Sequence, residues 1–318
     1  MVAREPAGRA LRGSLDRRPV AAGDVAMLFR LALLALAVSV DLESGAGAVD
    51  LTLSPQAPSI RFELVTDSEQ IAPGEKFQLA LHAQIPDGWG LFWENPGDVG
   101  QPLSVELSAP KDFIVEGPRY PAPRRFALPG ERNVFGYRRE TMLFFDLRAP
   151  DDLPHGAHVA FAAIVDWTAF GPALARGEAQ AAAEIATYPL HDQPAKDASA
   201  MERFRTLLPR PWAELEHVTS DWKLAWADMG EGAGVDLELR VGGATALEFY
   251  PLPTDGLDLL DDAGTAVDGG RSLRLSYLRS PDSGRHTVDV RGVLRVERAA
   301  GVELFAVRLP CKAGSAER

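Results

Sequence analysis

The sequence contains a single cysteine, Cys311, among its 318 residues, and this scarcity removes whole classes of chemistry. One thiol cannot form an internal disulfide, and dithiol exchange needs an attacking thiolate together with a second thiol that resolves the mixed disulfide. No apolar run approaches the roughly eighteen residues that indicate a membrane-spanning helix. The net charge of −12, with no basic patch, argues against nucleic acid and anionic lipid as partners.

The short motifs of common enzyme and cofactor sites are also missing. No nucleophile elbow, HExxH helix, phosphate-binding loop or dinucleotide-binding glycine motif occurs in the sequence. His155 and His158 make at most half of a metal site, because no cysteine, methionine or third histidine lies close to them. The acids between Asp255 and Asp268 lack the register of a calcium loop. We therefore predict no metal and no cofactor.

The first 48 residues have the features of a secretory leader. Residues 31–40, LALLALAVSV, form an apolar run that is too short to span a bilayer. Ala46-Gly47-Ala48 then offers small residues for cleavage. The residues before Met27 are polar and arginine-rich, which makes Met27 a candidate start of translation. The sequence predicts a signal peptide and a secreted protein, periplasmic in a Gram-negative cell.

After the leader, the hydrophobic pattern has mostly a period of two. Ile60, Phe62 and Leu64 alternate with polar residues, and Pro-Gly pairs interrupt the strands at short intervals. This pattern predicts an all-β fold of two sandwiches. We expect the first at residues 51–190 and the second at 216–310, followed by a tail at 311–318. The linker, 191–215, contains a predicted helix at residues 198–208, with Met201 and Phe204 on its apolar face.

The string GWGLFWENPGDVGQP, residues 88–102, is the most specific motif of the chain. It resembles the start of the N-terminal periplasmic domain of the thiol:disulfide interchange protein DsbD, especially its ScsB-like branch, where the family carries G-W-H-x-Y-W-x-N-P-G-D-x-G-x-P. Gly90 stands where the family often has histidine. The matching residues are Gly88, Trp89, Trp93, Asn95, Pro96, Gly97, Asp98, Gly100 and Pro102.

Further strings of this resemblance follow in the same order. Residues 120–126, YPAPRRF, with Pro121 and Pro123, resemble W-P-A-P-x-R-F, and residues 135–137, FGY, resemble a G-Y pair. Residues 248–251, EFYP, are similar to an element of the ScsB-type second subdomain. The resemblance covers residues 51–310 and implies immunoglobulin-like sandwiches. We expect a solitary copy of the family's N-terminal portion.

The departure from the family lies after Trp167. There the family has a C-x-x-x-C pair followed by a Gly-Glu-Ala stretch. Aligned on Trp167 and on Gly177-Glu178-Ala179, the two cysteine positions are Phe170 and Leu174. The resemblance therefore implies that the family's protein-disulfide reductase chemistry is absent, so the chain is not expected to be an enzyme.

A binding role is the expectation that remains. The implied partner is a thioredoxin-like or cytochrome-maturation protein, in cytochrome c biogenesis or copper tolerance. The candidate contact residues are Trp167, Phe170, Leu174 and Tyr137, and we expect Trp167 and Phe170 to lie nearest the surface.

Two other roles stay open at this point. Cys311 is either an exposed single thiol that exchanges with a partner or a leftover cysteine in a frayed tail. Alternatively, a group of aromatic residues forms a ligand platform on an immunoglobulin-like scaffold, although burial between sheets is the expectation for most of them. The group consists of Trp89, Phe92, Trp93, Tyr137, Trp167 and Phe170.

Overall fold

The computed structural model describes residues 57–130, 132–187, 195–228, 232–260, 264–279 and 289–311. These residues form two successive β-sandwiches, so the prediction of an all-β fold with a short helical linker is confirmed. The leader, with its predicted signal peptide, lies outside the described residues. The strands of the first sandwich are β1 (Arg61–Thr66), β2 (Gln70–Ile71), β3 (Lys76–Gln84), β4 (Gly90–Gly97), β5 (Ser104–Ser108), β6 (Ile114–Arg119), β7 (Arg124–Leu128), β8 (Arg132–Tyr137), β9 (Glu140–Arg148), β10 (His158–Phe170) and β11 (Leu174–Thr187).

The first sandwich packs a four-stranded sheet on a seven-stranded sheet. The smaller sheet has the order β1-β3-β9-β6, and the larger one has the order β2-β11-β10-β4-β8-β7, with β5 also paired to β10. Alternate residues of each strand point between the sheets, where Leu79, Leu143 and Val165 are fully buried. The long β10–β11 hairpin extends to Phe170 and Leu174 at its end.

The linker helix α1 (Ala198–Arg205) covers the outer face of the smaller sheet. Its buried residues Met201 and Phe204 pack against Met142 and Phe144 of β9. This contact explains why β9 is apolar on both faces instead of alternating. The helix ends at Arg205, three residues before the predicted end at residue 208, because the last residues before the proline at 209 continue as turns.

The second sandwich follows the same architecture with fewer strands. Its sheets have the orders β12-β20-β19-β15 and β13-β14-β18-β16, with β17 also paired to β18. β12 pairs with β20 and Leu215 packs in the second core, so the linker is shorter than the expected 191–215. The strands are β12 (Arg210–Pro211), β13 (Val218–Asp228), β14 (Gly232–Val241), β15 (Ala246–Leu252), β16 (Leu257–Leu259), β17 (Thr265–Val267), β18 (Ser272–Arg279), β19 (Asp289–Arg298) and β20 (Gly301–Pro310).

Within the ranges that the structure describes, no helix is both long and apolar enough to cross a membrane.

Candidate functional site

The two positions that the resemblance gives to redox cysteines face each other at the end of the β10–β11 hairpin. Phe170 closes β10 and Leu174 opens β11, and these residues are direct antiparallel partners. The Cα atoms of such partners lie about 4.5–5.5 Å apart. This separation is within the range that a disulfide requires. Two cysteines at these positions could therefore pair without a backbone movement, which fits the alignment.

The Phe170 side chain is fully buried, on the outer face of the larger sheet. Its ring centroid lies 5.0 Å from that of Phe92 and 5.1 Å from that of Phe126. The guanidinium carbon of Arg138 lies 5.9 Å from the Phe170 ring centroid. The expectation that Phe170 lies near the surface is therefore wrong, because β4, β7 and Arg138 together cover its ring.

Two glycines leave the space that the Phe170 ring occupies. Gly90 is the direct partner of Phe170 on β4, and a Cβ at Gly90 would lie within 2.7 Å of three ring carbons. A Cβ at Gly136 would lie 2.9 Å from Cε1 of the same ring. The family resemblance assigns a frequent histidine to the position of Gly90. The loss of that side chain and the gain of Phe170 are thus sterically linked in this chain.

The other three candidate contact residues differ in exposure. Leu174 is 54% exposed at the tip of the hairpin. Trp167 is only 9% exposed, because its indole lies across Gly177, where a Cβ would come 2.5 Å from Cζ2 of the indole. Tyr137 is buried and its hydroxyl donates to the carbonyl of Pro121 at 2.7 Å, and burial raises its pKa well above the usual value. Of the four candidates, Leu174 is the one that a partner can reach.

A surface groove of about 680 Å³ runs beside the hairpin. The remaining exposed edge of Trp167 contributes to it, together with Arg176 and Glu178 of β11. Both charged residues are exposed. The groove therefore continues the surface of the hairpin with polar groups that could hydrogen-bond a partner.

Cys311 lies in the core of the second sandwich. The residue is 7% exposed and belongs to the cluster that also contains Leu309 and Tyr277. Because β20 pairs with β19 as far as Pro310, the backbone holds Cys311 in place. The expectations of an exposed thiol and of a frayed tail at this residue are both wrong. Exchange with a partner's disulfide requires access that this burial denies.

The histidines at 155 and 158 were the candidates for half of a metal site. His158 Nδ1 lies 3.5 Å from Glu184 Oε1 in an exposed pair on the β10–β11 hairpin. Across the described parts of the chain, no three or more His, Cys, Asp or Glu side chains gather in a way that could hold a metal ion.

The aromatic motif at residues 88–102 contributes to the joint between the two sandwiches. Trp93 is fully buried, and its ring centroid lies 6.4 Å from that of Tyr250 on β15. The side-chain amide of Asn95 donates to the carbonyl of Pro251 at 2.7 Å, while its oxygen accepts the N–H of Gly97 at 3.0 Å. One asparagine therefore closes the turn of the motif and binds the second sandwich.

The later family-like strings meet at the same joint. Arg125 donates to the carbonyl of Phe249 at 3.3 Å, and its Nε lies 3.6 Å from Glu248 Oε1. The rings of Phe135 and Tyr250 pack edge to face, with centroids 5.7 Å apart. Four strings that are separated by up to about 160 residues in the sequence thus converge, and sequence periodicity could not have predicted their contact.

The remaining motif residues are structural. Asp98 accepts the N–H of Asn133 at 2.6 Å and so fixes the turn against β8. Trp89, Pro121 and Pro123 are buried and Pro96 is partly buried. The aromatic residues considered for a ligand platform are all buried in the structure: Trp89, Phe92, Trp93, Tyr137, Trp167 and Phe170.

Glu94 is a polar group of the motif that the sequence did not single out. Burial raises its pKa to about 7, although the positive charge of Arg291 on β19 acts in the opposite direction. Burial is the main cause that raises the pKa values of Tyr120 and Tyr137, and the nearby charge of Glu94 raises them further. Glu94 directly follows Trp93 in the motif, and its importance is visible only once Arg291, its partner across the joint, is known.

The fold is a pair of immunoglobulin-like sandwiches, and the four family-like sequence strings meet at the joint between them. Residues 61–168 match the family model of thiol:disulfide interchange protein DsbD, N-terminal. The resemblance drawn from the motifs is therefore confirmed for this segment, and the chain has one cysteine where the redox pair of the family needs two.

The solved structures add a match over most of the chain. The N-terminal periplasmic domain of ScsB from Proteus mirabilis is 14% identical, with a TM-score of 0.52, over 80% of this chain and 94% of that chain. At this identity the match shows the fold alone. No curated protein matches the sequence.

Two other structures are too distant to support an argument. A protein of unknown function from Porphyromonas gingivalis W83 is 12% identical, with a TM-score of 0.22, over 79% of this chain and 99% of that chain. The sporulation control protein Spo0M from Bacillus subtilis is also 12% identical, with a TM-score of 0.22, over 79% and 90% of the two chains.

Proposed function

We propose that this protein is a periplasmic, redox-inactive relative of the DsbD and ScsB N-terminal domains that works as a protein-binding module. The observation that carries this proposal is the Phe170 ring, which fills the site of the expected first cysteine between Gly90 and Gly136. A thiolate at that position would be the attacking group of disulfide exchange. A buried phenylalanine cannot replace it, and Cys311 is buried in the other sandwich.

Two observations of different kinds support a periplasmic location. Residues 27–48 have a basic, apolar and small-residue pattern that is typical of a secretory leader. The ScsB domain with the same fold is described as periplasmic. A periplasmic protein of this family would meet redox proteins of the thioredoxin fold, in cytochrome c biogenesis or copper tolerance.

The end of the β10–β11 hairpin is the docking surface of this proposal. Leu174 presents a large apolar side chain to solvent, and the groove beside Trp167 supplies polar groups next to it. An exposed apolar residue beside a polar rim is the usual arrangement at the centre of a small protein interface. The partner is a thioredoxin-like or cytochrome-maturation protein that binds without electron transfer.

The experiment measures binding of purified thioredoxin-fold proteins from the same periplasm to the immobilised mature protein. We expect at least one of them to bind, and Leu174→Asp to weaken that binding about tenfold or more, since it puts a charge into the contact. Val302→Asp is the matched control, because Val302 is 51% exposed on the second sandwich. Failure of every such protein to bind, or equal binding by Leu174→Asp and wild type, would overturn the proposal.

A further inference from the structure

A cleft of about 670 Å³ lies where the two sandwiches meet, away from the hairpin end. Glu94 of β4 and Arg119 of β6 line it from the first sandwich, and Arg291 of β19 and Arg308 of β20 line it from the second. Its size is in the range of small-molecule sites, about 300–1,000 Å³. No step of the binding role described above uses this cleft.

Arg291 and Arg308 are direct cross-strand partners, on the face of their sheet that lines the cleft. Like charges placed directly opposite each other destabilise a sheet. Arg308 is relieved in part by Asp289, whose Oδ2 lies 2.7 Å from the guanidinium Nε. Arg291 forms no ion pair among the described residues, and Glu94 is the carboxylate that acts on it electrostatically.

The same face shows what a satisfied arginine looks like. Arg295 lies further along β19 on the same face as Arg291, and it makes ion pairs with Glu297 at 2.6 Å and with Glu248 at 3.9 Å. In a chain with a net charge of −12, carboxylates are plentiful. Arg291 and Arg308 together have one ion-paired carboxylate, Asp289, for two positive charges. The cleft that both arginines line is open to a ligand.

We propose that the cleft between the sandwiches binds a small organic anion, whose carboxylate or phosphate group is held by Arg291 and Arg308. A guanidinium presents N–H donors in a fork that matches the two oxygens of such groups. Arg119 lies on the opposite wall of the cleft and is held there by an ion pair, in which its Nε lies 2.9 Å from Asp146 Oδ2. This site is independent of the hairpin and does not rest on the proposed function.

The apolar lining adds a second requirement to the ligand. Leu252 of β15 and Leu208 from the linker line the cleft beside the arginines, and both residues are partly exposed. An inorganic ion would leave these side chains facing water, whereas an anion with an aromatic or aliphatic body would cover them. The ligand class is therefore an amphipathic organic anion and not free phosphate or sulfate.

Glu94 makes the site sensitive to pH. Its neighbours in the cleft and behind it are Arg291, Tyr120 and Tyr137, and the cleft also contains Arg119 and Arg308. Because burial raises its pKa to about 7, the carboxyl is neutral in mild acid and charged in mild base. A charged Glu94 competes with the anion for Arg291. Binding should therefore be tighter below the pKa of Glu94 than above it.

The experiment titrates the mature protein with 1-naphthoate and 1-naphthyl phosphate by calorimetry at about pH 6, with 1-naphthol as the neutral probe. We expect both anions to bind and 1-naphthol to bind much more weakly. Arg291→Gln and Arg308→Gln should each lower the affinity for the anions about tenfold, the loss of one charge-assisted contact. Arg274→Gln, an exposed arginine on β18, is the matched control and should bind as wild type does.

A pH arm separates the cleft from unspecific attraction to arginine. The charge of 1-naphthoate does not change between about pH 6 and about pH 8, so a several-fold loss of affinity over that interval reports Glu94. Glu94→Gln should bind equally at both pH values. Absence of anion binding, equal affinities of the Arg291→Gln and wild-type proteins, or equal binding of 1-naphthol would each overturn the proposal.

Discussion

The steric link between Gly90 and Phe170 gives the sharpest test of how the hairpin site is built. In Gly90→Ala, the new Cβ would lie within 2.7 Å of three carbons of the Phe170 ring. The ring cannot move aside freely, since Phe92 and Phe126 pack against it at 5.0 and 5.1 Å. Overpacking of this kind costs about 1–3 kcal/mol. We therefore expect Gly90→Ala to lower the free energy of unfolding by roughly 2 kcal/mol.

The destabilising effect of Gly90→Ala should disappear or reverse once the Phe170 ring is removed. Phe170→Ala alone should cost about 3–5 kcal/mol, because it empties a fully buried site. The three atoms nearest to a Cβ at Gly90 all belong to Phe170. In the Phe170→Ala background, Gly90→Ala should thus be neutral or stabilise by about 0.4–1 kcal/mol through the unfolded state. The expected coupling energy between the two sites is about 2–3 kcal/mol.

Urea unfolding of the wild type, both single variants and the double variant measures this coupling. Leu174→Ala is the control for the hairpin, and its cost should be small, since Leu174 is 54% exposed. If the effects of Gly90→Ala and Phe170→Ala simply add, the ring does not occupy the space in front of Gly90. The reasoning that links the two sequence differences would then be refuted.

Three further predictions concern the joint, the thiol and pH. Asn95→Ala removes the hydrogen bond to the Pro251 carbonyl and should lower the free energy of unfolding by about 1–2 kcal/mol in urea unfolding. Asn95→Asp keeps the acceptor for the Gly97 N–H and should recover part of this loss of stability. Cys311 should react with a thiol reagent only after denaturant is added, and rapid labelling of the native protein would contradict its burial. For Glu94, the folded-state pKa of about 7 lies above the ordinary glutamate pKa of 4.5, so between these pH values the folded state binds a proton that the unfolded state does not. Stability should therefore fall as pH rises from about 4.5 to about 7, by up to about 3 kcal/mol, and Glu94→Gln should remove that slope in thermal unfolding.

Local patterns predicted the sandwiches because strand periodicity depends on neighbouring residues. The continuous apolar run at residues 142–145 of β9 indicates an interior strand by composition alone. Its physical reason became visible only with Met142 and Phe144 under helix α1. Strand β19 runs without a break through Gly292. The glycine is needed because a Cβ would come within 2.7 Å of the Phe249 ring, so it marks a close approach and not a turn.

The functional surroundings could be predicted less well because they depend on long-range contacts. Alternation along β10 puts Phe170 on the outer face of the sheet, where a side chain is exposed unless another element covers it. The residues that bury it, Phe126 and Arg138, come from β7 and the turn after β8. In the same way, the partner of Asn95 lies at residue 251, and Arg291, the cation that acts on Glu94, lies on β19. The motif therefore identified the family but not the joint that its residues form.

The most direct test of the central claim is an insulin-reduction assay with a mass measurement of the thiol state. The wild-type protein and Cys311→Ser should both be inactive, since the redox positions hold Phe170 and Leu174. The Phe170→Cys/Leu174→Cys variant, after mild oxidation, should carry a disulfide between these residues, since antiparallel partners lie within bonding range. Insulin reduction by the wild type, or two free thiols in the oxidised double variant, would contradict the account.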